Sequence, residues 1–246
     1  MPRYFIHIAY DGTDYVGWQI QPNGPSVQEN LQNALTKLNS NRAVEVVGCG
    51  RTDAGVHASS FYAHFEMEAI SNIKQFVFKL NCILDDAISV FDVFEVKDDL
   101  HARFDATYRT YHYFIHTEKD PFSKRFSTEF KHKLDLELMN QAGEILLKYD
   151  DFASFSKTGS DNKTTICKVT QAKWEQIGAN QFKFTITADR FLRNMVRAVV
   201  GTLIEVGQHK MTLEEFTQVI EEKNRGAAGT SMPPEGLFLA EIGYEF

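Results

Sequence analysis

The chain has 246 residues, 43% of them hydrophobic and 20 of them Phe, which suits one large domain or two compact ones with sizeable cores and excludes a disordered chain. No apolar run reaches the length of a signal peptide or a bilayer span, and Arg193, Arg197 and Glu205 interrupt the most apolar late stretch, so a soluble cytoplasmic protein without membrane contact is expected. The net charge of −7 speaks against nucleic-acid binding by the molecule as a whole and leaves room only for a locally basic cleft.

Arg3 to Tyr10 alternates and stops at Asp11-Gly12, a strand. Ser26-Val27-Gln28-Glu29 has the form of a capping box, and Val27, Leu31, Leu35 and Leu38 follow it at helical spacing. Val44 to Val47 reads as a short strand running into a loop at Gly50. Phe61, Ala63, Phe65 and Met67 alternate with Tyr62, His64 and Glu66 as a half-buried strand. Phe76 to Leu84 is predicted helical and Ile88 to Val96 a strand. A second set begins near Thr107 with a strand from Tyr108 to Thr117, closed by Asp120-Pro121. A helix over Leu134 to Lys148 and a hairpin of Val169 to Ile177 with Gln181 to Ala188 around Gly178 come next. Helices over Phe191 to Val206 and Leu213 to Glu222 and a closing strand from Leu237 to Tyr244 complete the chain.

Strands interleaved with helices in both parts predict an α+β fold of two similar halves, with mainly antiparallel sheets flanked by helices and a cleft between them. The halves are 1–105 and 106–246, with no flexible linker at the junction. Tyr4-Phe5-Ile6-His7 recurs as Tyr113-Phe114-Ile115-His116, a weak sign of duplication. Cys49, Cys82 and Cys167 are widely spaced and lack a C-x-x-C pair, which argues against a disulfide framework or a thiolate zinc site; they read as buried reduced thiols. The spacing of His57, His101 and His112 fits no zinc pattern either, so no metal is expected.

The segment that carries chemistry is Gly50-Arg51-Thr52-Asp53-Ala54-Gly55-Val56-His57. Glycines on both sides permit tight turns and close approach of a ligand, and Arg51 and His57 would favour the ionised form of the lone carboxylate. Such an Asp is compatible with a nucleophile or general base, and equally with an Asx-turn.

With Ala58 added, that segment resembles the signature of the tRNA pseudouridine synthase A family. The likeness extends along nearly the whole chain. It includes Tyr10-Asp11-Gly12-Thr13 with Gly17-Trp18-Gln19, Ser26-Val27-Gln28, and His101-Ala102-Arg103-Phe104 with Arg109-Thr110-Tyr111-His112-Tyr113. Further on it includes Phe191-Leu192-Arg193-Asn194-Met195-Val196-Arg197 with Gly201, and Glu235-Gly236-Leu237-Phe238-Leu239. The resemblance implies isomerisation of uridine to pseudouridine at positions 38, 39 and 40 of the tRNA anticodon arm, by a homodimer and without a cofactor.

Residue by residue, the resemblance makes Asp53 the catalytic carboxylate, attacking covalently or removing a sugar proton. It has Tyr111 stack on the extruded base, where an aromatic face replaces lost stacking. Arg197 would pair with Asp53, and Arg51 would contact phosphate or fill the gap left by the flipped base. Arg193 and Arg197, four apart, would share a helix face. The plainer roles are cross-strand packing among Tyr108, Tyr111 and Tyr113, solvated arginines on an amphipathic helix, and a loop ion pair for Arg51.

The family's arginine-rich stretch in the third quarter reads Asn162-Lys163-Thr164-Thr165-Ile166-Cys167-Lys168 here, with lysines that can serve phosphate as point charges. Given the acidic total, Arg51, Arg103, Arg109, Lys168, Arg190, Arg193 and Arg197 are expected to line one cleft. Two other readings compete. A non-catalytic tRNA-binding module on the same fold would need neither Asp53 nor Tyr111. A glycoside hydrolase would need a second carboxylate, and the nearest candidates, Asp11 and Asp14, read as turn residues.

Overall fold

The computed structural model describes residues 1–159 and 163–245, so Asn162 of the lysine-bearing stretch lies outside the described residues. The chain divides into two compact units, one made of residues 1–107 and 238–246, the other of residues 108–237. The first unit opens with β1 (Arg3–Tyr10), α1 (Val27–Leu38), β2 (Val46–Gly48), β3 (His57–Glu66), α2 (Ile73–Ile83) and β4 (Ile88–Val96). The second carries β5 (Ala106–His116), β6 (Thr128–Glu129), α3 (Leu136–Leu146), β7 (Val169–Gly178), β8 (Gln181–Ala188), α4 (Met195–Gly207) and α5 (Leu213–Glu221). The last strand, β9 (Leu237–Tyr244), falls almost wholly in the first unit. The fold is α+β with mainly antiparallel strands and five α-helices among the described residues.

In the first unit β1 lies between β3 and β4, antiparallel to both, with Ile6 opposite Ala63 and Val93. β2 pairs antiparallel with the end of β3. The start of β3 pairs in parallel with β9, His57 opposite Phe238 and Ala58 opposite Leu239. β3 begins four residues before the alternating stretch that predicts it, because its first residues pair with Tyr10 of β1 on one side and with β9, about 180 residues away, on the other. Phe5 is buried on the face opposite Tyr4 and Ile6 because Tyr244 of β9 and Phe94 of β4 cover it, at ring separations of 5.3 and 6.1 Å. In the second unit β5 pairs antiparallel with β8, and β8 with β7. The recurring Tyr-Phe-Ile-His thus falls in β1 of one unit and β5 of the other.

Helix starts follow their caps. Ser26 accepts from the Glu29 amide at 3.2 Å, the first half of the expected box. Both reciprocal bonds of a capping box form instead between Thr212 and Glu215. Asn72 and Asp135 cap α2 and α3 through the amides of Gln75 and Leu138. The helix expected from Phe191 begins only at Met195, because Asn194 is left-handed at φ 67° and its side-chain amide donates to Ser231 Oγ at 2.6 Å. Asn is among the few residues that adopt this conformation readily, and a left-handed residue cannot lie inside a right-handed helix. Arg193 therefore precedes the helix and does not share a face of it with Arg197. The thiols also divide: Cys49 and Cys167 are buried, but Cys82 is exposed, since α2 buries only Phe76 and Leu80.

His64 on β3 is 6% exposed, and its Nδ1 accepts from the Ala102 amide at 3.1 Å. Burial, the neighbouring His101 and Arg3 push its pKa down to about 4. The unfolded chain therefore binds a proton near pH 6.5 that the folded chain refuses until about pH 4. Stability from this group is complete above pH 6.5 and falls by about 2–3 kcal/mol as the pH drops to 4. Urea unfolding across that range should show the loss, and His64→Asn, which keeps an acceptor but cannot titrate, should flatten it.

Candidate active site

The Asp53 loop joins β2 to β3, and the segment from Tyr10 to Trp18 lies beneath it. Tyr10 Oη and Thr52 Oγ1 share a hydrogen bond of 2.8 Å in the interior. The Trp18 amide donates to the Thr52 carbonyl at 3.2 Å, and the Gly55 amide donates to the Tyr15 carbonyl at 3.3 Å. Inside the loop the Val56 amide donates to the Asp53 carbonyl at 3.1 Å, and Gly55 takes φ 75°, a value that favours glycine. Asp53 is thus bracketed by backbone bonds at Thr52 and at Gly55. Its side chain is half-buried, while Arg51 is exposed.

Two glycines make this proximity possible. A Cβ on Gly17 would lie 2.3 Å from the Thr52 carbonyl oxygen, and one on Gly12 would lie 2.0 Å from that of Val56. Gly17 also has φ 107°. Trp18 extends the same support. It is 3% exposed, stacks on Phe61 at 4.2 Å, and fills the space where a side chain at Gly48 would stand. Gly50 differs, since a Cβ there would meet no atom within 4 Å.

His57 closes the loop. It is fully buried, its Nδ1 accepts from the Gly12 amide at 3.0 Å, and its ring stacks on Phe238 at 4.6 Å. Asp11 Oδ1 lies 3.1 Å from the same nitrogen. Asp11 also accepts from the amide and hydroxyl of Thr13, an Asx-turn, which leaves it a turn residue as its sequence context predicts. Among the described residues no cluster of three His, Cys, Asp or Glu could hold a metal ion. No helix among them is long and apolar enough to cross a membrane.

The other expected site residues belong to the second unit. Tyr111 is half-buried in β5 opposite Ile186 and meets Phe191 edge-to-face at 5.0 Å. Its strand neighbour Tyr113 is fully buried, donates to the Pro233 carbonyl at 2.8 Å and bonds Thr128 at 2.7 Å. That burial pushes the Tyr113 hydroxyl pKa far up. Packing is therefore the role of Tyr113. Arg197 lies on α4, with its Nε donating to the Met232 carbonyl at 2.5 Å. Arg109 Nη1 donates to the Asp189 carbonyl at 2.8 Å, and the amides of Lys168 and Arg190 both donate to the Asp189 carboxylate. Asp189 thus gathers three of the expected basic residues at one end of the β5–β8–β7 sheet, just before Phe191. Nothing in the sequence pattern singled it out.

A family profile described as tRNA pseudouridine synthase matches residues 149–245. Three relatives, each named tRNA pseudouridine synthase A, extend the match to nearly the whole chain. The protein of Bacteroides thetaiotaomicron is 53% identical over 99% of this chain and 91% of its own length. That of Bacteroides fragilis is 52% identical over 98% and 96%, and that of Parabacteroides distasonis 49% identical over 99% and 96%. The chain belongs to the tRNA pseudouridine synthase A family and is an enzyme of the isomerase class.

The two kinds of glycine around the loop make opposite predictions. Gly17→Ala, with both the carbonyl clash and a positive φ, should lower stability by about 1–3 kcal/mol. Gly50→Ala should change it by less than about 0.5 kcal/mol. Urea midpoints of the two variants measure the difference.

Proposed function

We propose that this chain isomerises uridine to pseudouridine at positions 38, 39 and 40 of the tRNA anticodon stem-loop, with the Asp53 carboxylate as nucleophile or base. The observation that carries the reading is a half-buried carboxylate on a loop whose backbone is bonded to its support on both sides. The reaction breaks the N-glycosidic bond, turns the uracil over and forms a C–C bond. Atoms are neither added nor removed, so a positioned carboxylate suffices and no cofactor is called for. Family membership supports tRNA as the substrate; the reading takes a cytoplasmic homodimer as the working form.

In this reading Tyr111 supplies the aromatic face for the extruded uracil. Arg197 pairs with the Asp53 carboxylate and orients it, and Arg51, exposed two residues before Asp53, takes a phosphate or the gap left by the flipped base.

Carbodiimide mapping of a tRNA incubated with the protein tests the reaction and its position together. Pseudouridine should appear at positions 38 to 40; its absence, with tRNA still bound, would favour a non-catalytic tRNA-binding module. Tyr111→Phe should keep most of kcat/KM, while Tyr111→Ala should lose roughly ten- to hundredfold, the range of one lost base stack. Equal losses would contradict stacking as its role. Arg197→Ala should lower kcat while tRNA affinity stays near native, because the lost group orients the carboxylate and not the RNA. An unchanged kcat would contradict the pair.

A further inference from the structure

The stretch from Thr117 to Lys133, which follows β5, takes no part in the site described above. In a chain of net charge −7 it holds five cations, Lys119, Lys124, Arg125, Lys131 and Lys133, against three acids. Two of those acids are engaged. Asp120 accepts from the Phe122 amide at 2.9 Å and from Ser123 Oγ at 2.5 Å, bonds that hold its carboxyl below the usual range. Glu129 lies 3.1 Å from Lys131 Nζ. At the tip of the turn, Lys119 and Lys124 are exposed on either side of Phe122, which is 91% exposed, and Phe126 is 42% exposed.

This tip is held in one shape. Besides the Asp120 turn, the Phe126 amide donates to the Ser123 carbonyl at 2.9 Å, and Pro121 fixes its own φ. At the base the Phe130 amide donates to the His116 carbonyl at 2.7 Å, Ser127 Oγ bonds His116 Nδ1, and the Thr117 amide donates to the Asn180 carbonyl. An aromatic ring displayed on a fixed turn between lysines suits a base with phosphates on either side, because the ring loses little freedom on binding. A protein partner fits less well, since lysine is depleted in protein interfaces.

We propose that the turn from Lys119 to Phe126 is a second RNA contact. In it Phe122 stacks on an unpaired tRNA base other than the one isomerised, and Lys119, Lys124 and Arg125 take adjacent phosphates. The proposal rests on tRNA being the substrate and adds a binding element separate from Asp53, Tyr111, Arg197 and Arg51. It concerns grip and not chemistry, so the turn sets KM and leaves kcat alone.

The test is the affinity of the full-length protein for tRNA at several salt concentrations, with sedimentation of each variant and turnover at saturating tRNA. Lys124→Ala combined with Arg125→Ala should weaken binding roughly tenfold near physiological salt and reduce the salt slope by about one to two. Phe122→Ala should weaken binding roughly tenfold with the slope unchanged, and Phe122→Trp should restore it. Unchanged affinity and slope in all variants would overturn the proposal. So would conversion of a dimer to a smaller species by Phe122→Ala, which would make the turn a subunit contact. The two readings fail separately: a native protein that forms no pseudouridine, yet loses tRNA affinity in the turn variants, would refute the isomerase reading and keep the turn.

Discussion

Gly12 and Gly17 bring the backbone of the first loop directly against the backbone of the Asp53 loop, closer than any side chain would allow. The shape of the Asp53 loop depends on this approach. A loop free to move would have to be ordered each time substrate bound, at about 1–2 kcal/mol per residue. Here that ordering is completed during folding, through main-chain bonds at Thr52 and Gly55, the Tyr10–Thr52 bond and the Trp18–Phe61 stack. Apart from the Tyr10–Thr52 bond and the Trp18–Phe61 stack, this support is made by the main chain.

Charge is arranged locally. A net charge of −7 would repel a polyanion if it were spread evenly. Instead the exposed Asp189 accepts from Arg109 at its carbonyl and from the amides of Lys168 and Arg190 at its carboxylate, and Asp120 shapes a turn flanked by lysines. Acids that serve as local scaffolds leave cations to face outward nearby. The total charge of a chain therefore says less about its partners than the partners of each acid do.

Much of this was legible in the sequence. Alternation located β1 and most of β3, the turn at Gly178 located the β7–β8 hairpin, helical spacing located α1, and the glycine-flanked Asp53 loop stood out at once. Other features depend on contacts between distant parts of the chain. The early start of β3 needs β9, the burial of Phe5 needs Tyr244, and the late start of α4 follows from a left-handed Asn194 bonded to Ser231. Tyr10, Gly12, Gly17 and Trp18 carried the family resemblance without any visible reason. The structure supplies one, because they are the floor on which the Asp53 loop rests. Tyr111 and Tyr113 share one strand face by spacing, and the bonds of Tyr113 to Thr128 and Pro233 are what assign Tyr113 to packing.

The central claim is that the charge of Asp53, on a loop already held in place, performs the chemistry. Asp53→Asn changes that charge while keeping the size of the side chain and leaving the supporting backbone bonds intact. The direct measurement is single-turnover tritium release from tRNA labelled at uridine C5, with tRNA affinity and urea midpoint measured on the same preparations. The account predicts no release from Asp53→Asn, with affinity and midpoint close to those of the native protein. Substantial release by a folded, tRNA-binding Asp53→Asn protein would contradict it.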